Sequence, residues 1–112
     1  MNIHFQRHNE AKRLAKWVRE YMWQKFMLSE QYLGELRCFE YEENINGKQV
    51  THILIFHPSQ ARSQHASVRT LSDLERHRNV LLYEGYVDDQ GAVYVESRRT
   101  TASSERAPGK RS

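Results

Sequence analysis

The sequence holds one cysteine, Cys38, among its 112 residues. A disulfide framework needs paired thiols and a multi-cysteine zinc site needs several, so this count excludes both. Long apolar runs are lacking as well, since the longest, such as residues 53–56 and 80–83, have four residues each. A membrane-spanning helix needs about 20 apolar residues, and a secretory signal needs an apolar stretch that the first residues lack. We therefore expect a cytoplasmic protein without a membrane partner.

Apolar residues are few, at 38% of the chain, against roughly 45–50% in typical globular domains. At 112 residues, the chain suits one domain with a modest core. The two Trp, six Tyr and four Phe residues partly compensate, because each buried ring removes about 150–250 Å² from water. We expect some of this apolar surface to be covered by a second copy or by another protein.

The positive charge is unevenly distributed. Residues 97–112 hold five basic residues and one acidic residue, among Ser, Thr, Ala, Pro and Gly. Such a composition buries too little apolar surface to offset the entropy of ordering the chain. We therefore expect a single folded domain over residues 1–96 and a disordered basic tail over residues 97–112. Within the domain, the charged residues of segment 1–27 are mostly basic and those of segment 30–43 are mostly acidic.

Residues 9–28 have the 3.6-residue apolar period of an amphipathic helix. Asn9 is a candidate N-cap, because its side chain can accept a hydrogen bond from the first turn. Gly34 is a candidate C-terminal glycine, either for this helix or for an extra turn that follows it.

Residues 35–57 are typical of a β-hairpin, because Asn46 and Gly47 favour the positive φ angles of a type I′ turn. Placing these two residues in the loop sets the register of both strands. The predicted pairs include Arg37 with Phe56, Cys38 with Ile55, Phe39 with Leu54, and Tyr41 with His52. Neither side of the hairpin is purely polar, so we expect a helix on one face and another element on the other.

The remaining segments complete an α-β-β-α-β-β order with one antiparallel sheet, which is an α+β fold. Residues 58–69 have one sizeable apolar residue and are interpreted as a loop. A short helix follows, begun either by Thr70 or by a capping box that joins Ser72 to Glu75. Residues 80–96 predict a second hairpin, which turns at residues 88–91.

The opening helix presents a basic stripe. Three cations recur at the i, i+4, i+7 spacing of one helix face, and a tryptophan continues the stripe one turn later. Cations at this spacing can contact phosphates while the aromatic ring stacks on a base, so the stripe is typical of polyanion binding. The alternative is a solvated helix face whose tryptophan packs locally or against a second copy. The candidate residues are Lys12, Lys16, Arg19 and Trp23.

Two further regions are candidates for ligand binding. The polar segment 58–69 carries groups that suit an anion, namely Arg62, Ser63, Ser67 and Arg69. A pocket beside the sheet would present polar rings to a small molecule, namely those of Tyr41, His52 and His57. The two histidines are an odd number of residues apart on one strand, so they face opposite sides and cannot share a metal.

No cluster typical of catalysis or of cofactor binding is present. Cys38 and His57 lie diagonally on one face of the predicted hairpin, about 7–8 Å apart, and the direct neighbour of the thiol is Ile55. An apolar neighbour raises the pKa of a thiol, which argues against a nucleophile. His4 and His8 have the spacing of a metal pair but lack a third ligand nearby. We expect no catalytic residues, no metal and no cofactor.

Three functions remain open. The preferred one is a non-catalytic interaction module that self-associates, because aromatics spread over more than one face of the opening helix and a small fold covers few of them. The second is a nucleic-acid-binding module that uses the basic stripe and the basic tail. The third is a small-molecule binder or enzyme whose site lies between the sheet and residues 58–69.

Overall fold

The computed structural model describes residues 10–98. The elements, in chain order, are β1 (Lys12–Arg13), α1 (Lys16–Phe26), α2 (Glu30–Glu35), β2 (Arg37–Ile45), β3 (Lys48–Phe56), α3 (Pro58–Ser63), α4 (Leu71–Arg76), a 3₁₀ turn (Arg78–Val80), β4 (Leu81–Val87) and β5 (Val93–Ser97). The five strands form one antiparallel sheet in the order β1-β2-β3-β4-β5. The predicted α+β fold with one antiparallel sheet is confirmed.

The hairpin of β2 and β3 has the predicted register along its length, from Arg37 paired with Phe56 to Glu43 paired with Val50. Asn46 and Gly47 form the turn with φ angles of 54° and 81°, the left-handed conformation that these two residue types adopt most readily. The Asn44 side chain supports the turn, because its Oδ1 accepts a hydrogen bond from the Gly47 N–H at 3.0 Å.

Both faces of this hairpin are buried, each against a different layer. On one face Cys38, Ile53 and Ile55 pack under α1 and α2, in a cluster with Leu14, Val18, Met22, Leu33, Leu36, Leu82 and Val95. On the other face Phe39, Leu54 and Phe56 pack against α3, α4 and the residues beside them, in a cluster with Ala61, Ala66, Leu71, Leu74, Val80 and Leu81. The second layer expected on the far side of the hairpin is therefore a pair of short helices.

The first helix is shorter than the predicted range 9–28. It spans Lys16–Phe26, and Ala15 before it is extended, with φ −64° and ψ 153°. Lys12–Arg13 instead forms β1, which pairs with the outer edge of β2. At these two residues the hydrogen bonds gained by pairing with an open strand edge outweigh the helix propensity. Because the partner strand is distant in the sequence, the apolar period of the segment cannot predict this pairing. Asn9 lies outside the described residues.

The extra turn expected near Gly34 is a separate helix, α2. Met27 ends α1 in the left-handed conformation, with φ 58°. Ser29 then caps α2, since its side chain accepts a hydrogen bond from the Tyr32 N–H at 3.1 Å. Gly34 lies inside α2 and does not terminate a helix.

Residues 58–69 are not a continuous loop, because Pro58–Ser63 forms α3. Proline suits the first turn of a helix, where its missing N–H has no partner to lose. The His57 Nδ1 accepts a hydrogen bond from the Ser59 N–H at 3.1 Å and caps this helix. Ala61 and Ala66 are buried. Small side chains let the segment approach the sheet closely, although they give no strong apolar signal in the sequence.

The next helix, α4, begins at the first of the two predicted caps. The Thr70 hydroxyl accepts a hydrogen bond from the Asp73 N–H, and the Asp73 carboxylate accepts one from the Thr70 N–H. Ser72 and Glu75 do not form the capping box. The backbone N–H of Arg69 donates to the same carboxylate and, with that of Thr70, lowers the pKa of Asp73.

The second hairpin is confirmed, with β4 and β5 joined by a turn at residues 88–92. Asp88 holds this turn, because its Oδ1 accepts hydrogen bonds from the N–H groups of Gln90 and Ala92, each at 2.9 Å. The described part reaches two residues past the expected domain boundary at 96. Ser97 belongs to β5, and Arg98 pairs with Glu84. Residues 99–112 of the predicted tail lie outside the described residues.

Replacing Gly85 with alanine tests how closely β4 and β5 approach. A Cβ at Gly85 would lie 1.8 Å from the Tyr94 carbonyl oxygen and 2.6 Å from the Val95 Cα. Because both neighbours are backbone atoms, we expect Gly85→Ala to lower the free energy of unfolding by about 3 kcal/mol. Urea denaturation measures this change.

Gly34→Ala is the matched control, since among the described residues no atom outside the adjoining residues and the backbone of its own helix lies within 4 Å of the position that its methyl group would take. It replaces a helical glycine and should raise the free energy of unfolding by roughly 0.5–1 kcal/mol. Equal stability of the two variants would contradict the close approach of β4 and β5.

Candidate functional site

Three of the four residues in the predicted basic stripe line one cleft. Lys16, Arg19 and Trp23 of α1 face α2 across a cleft of about 460 Å³. The other lining residues are Glu20, Glu30 and Leu33. The cleft continues toward the start of α1 as a second depression of about 480 Å³, which Arg13 and Gly34 also line. We call the two together the α1–α2 groove.

Lys12 is not part of this groove. It lies on β1, where its Nζ forms an ion pair with the Glu40 Oε1 at 3.0 Å. The i, i+4 relation to Lys16 that the sequence suggested does not exist, because the helix begins only at Lys16. The predicted stripe is therefore reduced to three residues on α1.

The groove contains both signs of charge. The Lys16 Nζ lies 4.0 Å from the Glu20 Oε2, and Glu30 contributes a second carboxylate. The Arg19 Nη1 donates a hydrogen bond of 2.6 Å to the Leu14 carbonyl oxygen, which holds its guanidinium against the body. Two cations and two carboxylates therefore line the deeper part of the groove, which is close to neutral.

The outward side of α1 exposes large apolar side chains. Trp17 is 48% exposed and Trp23 is 55% exposed, while Met27 at the end of the helix is 83% exposed. The 3.6-residue period places the two tryptophans at opposite margins of the outward face. Lys16, Glu20 and Gln24 lie between them. This outward face of α1 is continuous with the groove, because Trp23 borders both.

The predicted pocket residues divide between the two faces of the sheet. The rings of Tyr41 and His52 stack with centroids 4.6 Å apart, and both line a cleft of about 360 Å³. His57 lies elsewhere, with its Nε2 3.1 Å from the Glu35 Oε1 and its ring beside Tyr32. The odd spacing of the two histidines predicted this separation.

Tyr86 and Tyr94 extend the same face of the sheet, although no motif in the sequence singles them out. Tyr86 pairs with His52 across β3 and β4, and Tyr94 pairs with Tyr86 across β4 and β5. The rings of the two tyrosines are 4.9 Å apart. A register for the second hairpin relates Tyr86 to Tyr94, but their alignment with His52 depends on the pairing of β3 with β4, which no local pattern in the sequence gives.

The predicted anion-binding residues lie along an exposed stretch. Arg62 and Ser63 belong to α3, whereas Ser67 and Arg69 follow it, and all four are accessible to solvent. The Ser63 hydroxyl donates to the Gln60 carbonyl oxygen at 2.8 Å. The Asp73 carboxylate already accepts from the backbone N–H of Arg69. A carboxylate of the chain itself therefore occupies part of the donor set that an anion would need.

Side chains that could bind a metal ion are not clustered in the described part. Within residues 10–98, no three His, Cys, Asp or Glu side chains are placed to hold a metal ion. His4 and His8 lie outside that range. None of the helices in residues 10–98 has the length and apolarity required to cross a membrane.

The edge of the sheet at β5 is masked by two side chains of α1. The Val95 N–H donates to the Tyr21 hydroxyl oxygen at 3.2 Å, and the Lys25 Nζ donates to the Val95 carbonyl oxygen at 2.8 Å. The Glu96 carboxylate, 2.9 Å from the same Nζ, raises the pKa of Lys25. An open strand edge is a template for pairing with another chain. Tyr21 and Lys25 therefore occupy the outward backbone groups of Val95 on this edge.

Comparisons of the chain with protein families, with curated proteins and with solved structures found no match.

Cys38 is buried, and this burial raises the pKa of its thiol to about 12, with a further rise from the Glu40 carboxylate. A thiol with an ordinary pKa of about 8.5 reacts readily near pH 8. We expect Cys38 in the folded chain to resist a thiol-specific reagent at pH 8 and to react fully in denaturant. With a reagent that releases a chromophore when it reacts with a thiol, the absorbance measures the extent of reaction in the folded chain and in denaturant. Rapid reaction of the folded chain would contradict the burial of this residue.

Tyr21→Phe removes the acceptor of the Val95 N–H while keeping the ring. A hydrogen bond of this kind contributes about 1 kcal/mol, so the Val95 amide should exchange with solvent about 5-fold faster. Amide hydrogen exchange followed by NMR measures this rate. Tyr94→Phe is the control, since its hydroxyl lies 3.5 Å from Asp88 and does not contact Val95. Unchanged exchange in Tyr21→Phe would mean that the β5 edge is not masked in this way.

Proposed function

We propose that this chain is a non-catalytic interaction module that self-associates through the outward face of α1 and the α1–α2 groove. The observation that carries the proposal is the exposure of Trp17, Trp23 and Met27 on one short helix. Tryptophan is enriched at the centres of interfaces, because it removes a large apolar area from water at a small loss of conformational entropy. Isolated exposed apolar residues are ordinary, but three on adjacent parts of one helix favour an association surface.

The charges of the groove favour a second copy as the partner. Lys16 and Arg19 lie beside Glu20 and Glu30, so the same surface offers both the cations and the carboxylates of intermolecular ion pairs. A two-fold interface brings the same patch of both copies together, and a patch of both signs can place cation against carboxylate on each side. A patch of one sign would repel its own copy.

Masking of β5 supports the same partner surface. Strand-to-strand pairing is an alternative route to self-association in a sheet protein. Tyr21 and Lys25 occupy the backbone groups of Val95 on that edge, and β1 pairs with the first two residues of β2 on the opposite edge. Both contacts disfavour strand pairing and support the helical surface as the contact. Stable interfaces bury about 800 Å² per partner. One helix face and its groove supply less than a large dimer interface, so the expected self-association is reversible.

Polyanion binding is the second candidate, because the structure brings Lys16, Arg19 and Trp23 to one groove. Cations and a ring in one place suit a phosphate and a base. Against this candidate stand the two carboxylates of the groove and the loss of Lys12 to its ion pair with Glu40. Binding to a nucleic acid would weaken steeply with salt, whereas apolar self-association would change little.

Trp23→Ser tests the self-association. Truncating a tryptophan near the centre of an interface costs about 2 kcal/mol or more, so the dissociation constant should rise roughly 30-fold. Sedimentation velocity over a range of protein concentrations measures this constant.

Ile45→Ser is the matched control, because Ile45 is 42% exposed but lies at the end of β2 beside the Asn46-Gly47 turn. It should leave the dissociation constant unchanged. A wild-type chain that stays monomeric at high micromolar concentration would overturn the proposal. An equal loss of association in both variants would show that general apolarity and not α1 drives it.

A further inference from the structure

Four rings form a row across the sheet on the face opposite to α1. The register aligns Tyr41 with His52, His52 with Tyr86, and Tyr86 with Tyr94. Residues paired across neighbouring strands share a face, so all four rings lie on the same side of β2, β3, β4 and β5. Tyr41 and His52 stack at 4.6 Å, and Tyr86 and Tyr94 are tilted at 4.9 Å. We call this surface the aromatic face.

The helices of the second layer cover only part of that side of the sheet. They pack on Phe39, Leu54 and Phe56, and of the four rings only that of Tyr41 is among the residues packed against this cluster in the described part. Tyr94 is 46% exposed, and the other three rings are partly buried. A cleft of about 360 Å³ lies over the face between Tyr41 and Tyr86. The structure therefore leaves an aromatic surface open beside a covered one.

Carboxylates outnumber cations around the aromatic face. Among the described residues, Glu75, Glu84 and Glu96 line its cleft with Arg78, and Glu43 binds the His52 Nε2 at 2.7 Å. Arg98 and Lys25 pair with Glu84 and Glu96, so these four carboxylates stand against three cations. Burial raises the pKa of Tyr41, and the carboxylates of Glu43 and Glu84 raise it further. The face therefore has the negative potential and the ring surfaces that suit guanidinium and ammonium groups.

Two guanidinium groups of the chain already lie beside one carboxylate of this face. The Arg98 Nη1 donates to the Glu84 Oε1 at 2.9 Å, and the Arg78 Nη2 lies 3.6 Å from the same oxygen. Arg98 follows the last residue of β5 and is the last residue that the structure describes. The chain therefore leaves the described body at the aromatic face.

We propose that the aromatic face is the docking surface for the basic segment 99–112 of the same chain. That segment carries four cations and a single carboxylate, with Arg99 directly after the bound Arg98. Fourteen residues can extend about 45 Å, whereas four strands span roughly 15 Å. The segment reaches every ring and carboxylate of the face. The tyrosine rings and the carboxylate of Glu75, which lines the cleft, suit the cations of this segment.

A spin label in the segment tests this placement in the full chain. Ser104→Cys provides an attachment site, because the buried Cys38 thiol is shielded from labelling. We expect the nitroxide to broaden the amide signals of Tyr86 and Tyr94 several-fold more than those of Trp17 and Gln24 on the outward face of α1. The difference should vanish at about 1 M salt, where the Debye length falls to about 3 Å.

Two charge variants identify the interaction. Replacing Arg99, Arg106, Lys110 and Arg111 by glutamine should abolish the selective broadening. Glu75→Gln should reduce it by about half, whereas Glu20→Gln, which removes a carboxylate from the α1–α2 groove, should leave it unchanged. Selective broadening that persists in the neutralised segment would overturn the electrostatic docking.

Mixing distinguishes the segment of the same chain from that of a second copy. A spin-labelled chain without isotope is added to an isotope-labelled chain without spin label. Absence of broadening in the mixture supports docking within one chain. The proposal would be overturned if the amide signals of the aromatic face broadened in the mixture as much as they do when one chain carries both labels. The occupant would then come from another molecule.

Discussion

The structure depends on a hairpin that is buried on both faces. Side chains alternate along a strand, so one register sends Cys38, Ile53 and Ile55 to one core and Phe39, Leu54 and Phe56 to the other. A slip by one residue would exchange the two sets and misplace both layers at once. Each fully buried side chain of this kind contributes about 1.5–3 kcal/mol, so the Asn46-Gly47 turn and the packing on both sides enforce the same register.

The surfaces that can bind a partner follow from how the two layers cover the hairpin. On one side α1 and α2 bury the sheet and turn Trp17, Trp23 and the mixed charges of the groove outward. On the other side two short helices leave the rings of Tyr86 and Tyr94 uncovered. The first surface combines exposed apolar side chains with charges of both signs, and the second combines aromatic rings with a small excess of carboxylates. The two sides of one sheet therefore suit different occupants, which is the basis for assigning them to a second copy and to the basic segment.

Local chemistry made part of this fold predictable. The turn at Asn46 fixed the register of β2 and β3 because both of its positive φ angles are properties of the residues themselves. The start of α1 was not predictable in the same way, since Lys12–Arg13 pairs with a strand that lies more than twenty residues further along the chain. The helix α3 was not predicted because its buried residue is an alanine, so the segment lacks the period of large apolar residues that indicates a helix. Three residues of the basic stripe were found from spacing, whereas Tyr86 and Lys25 acquire their roles only through tertiary contacts.

Amide hydrogen exchange at low and at high protein concentration tests the central claim most directly. If the hairpin is the common support of both layers, the amides of Phe39 and of Ile53–Ile55 exchange slowest at both concentrations, at the rate of global unfolding. If α1 is the contact between copies, the additional protection at high concentration is confined to α1 and α2. Slowest exchange in β4 and β5, or concentration-dependent protection on the aromatic face, would contradict the account.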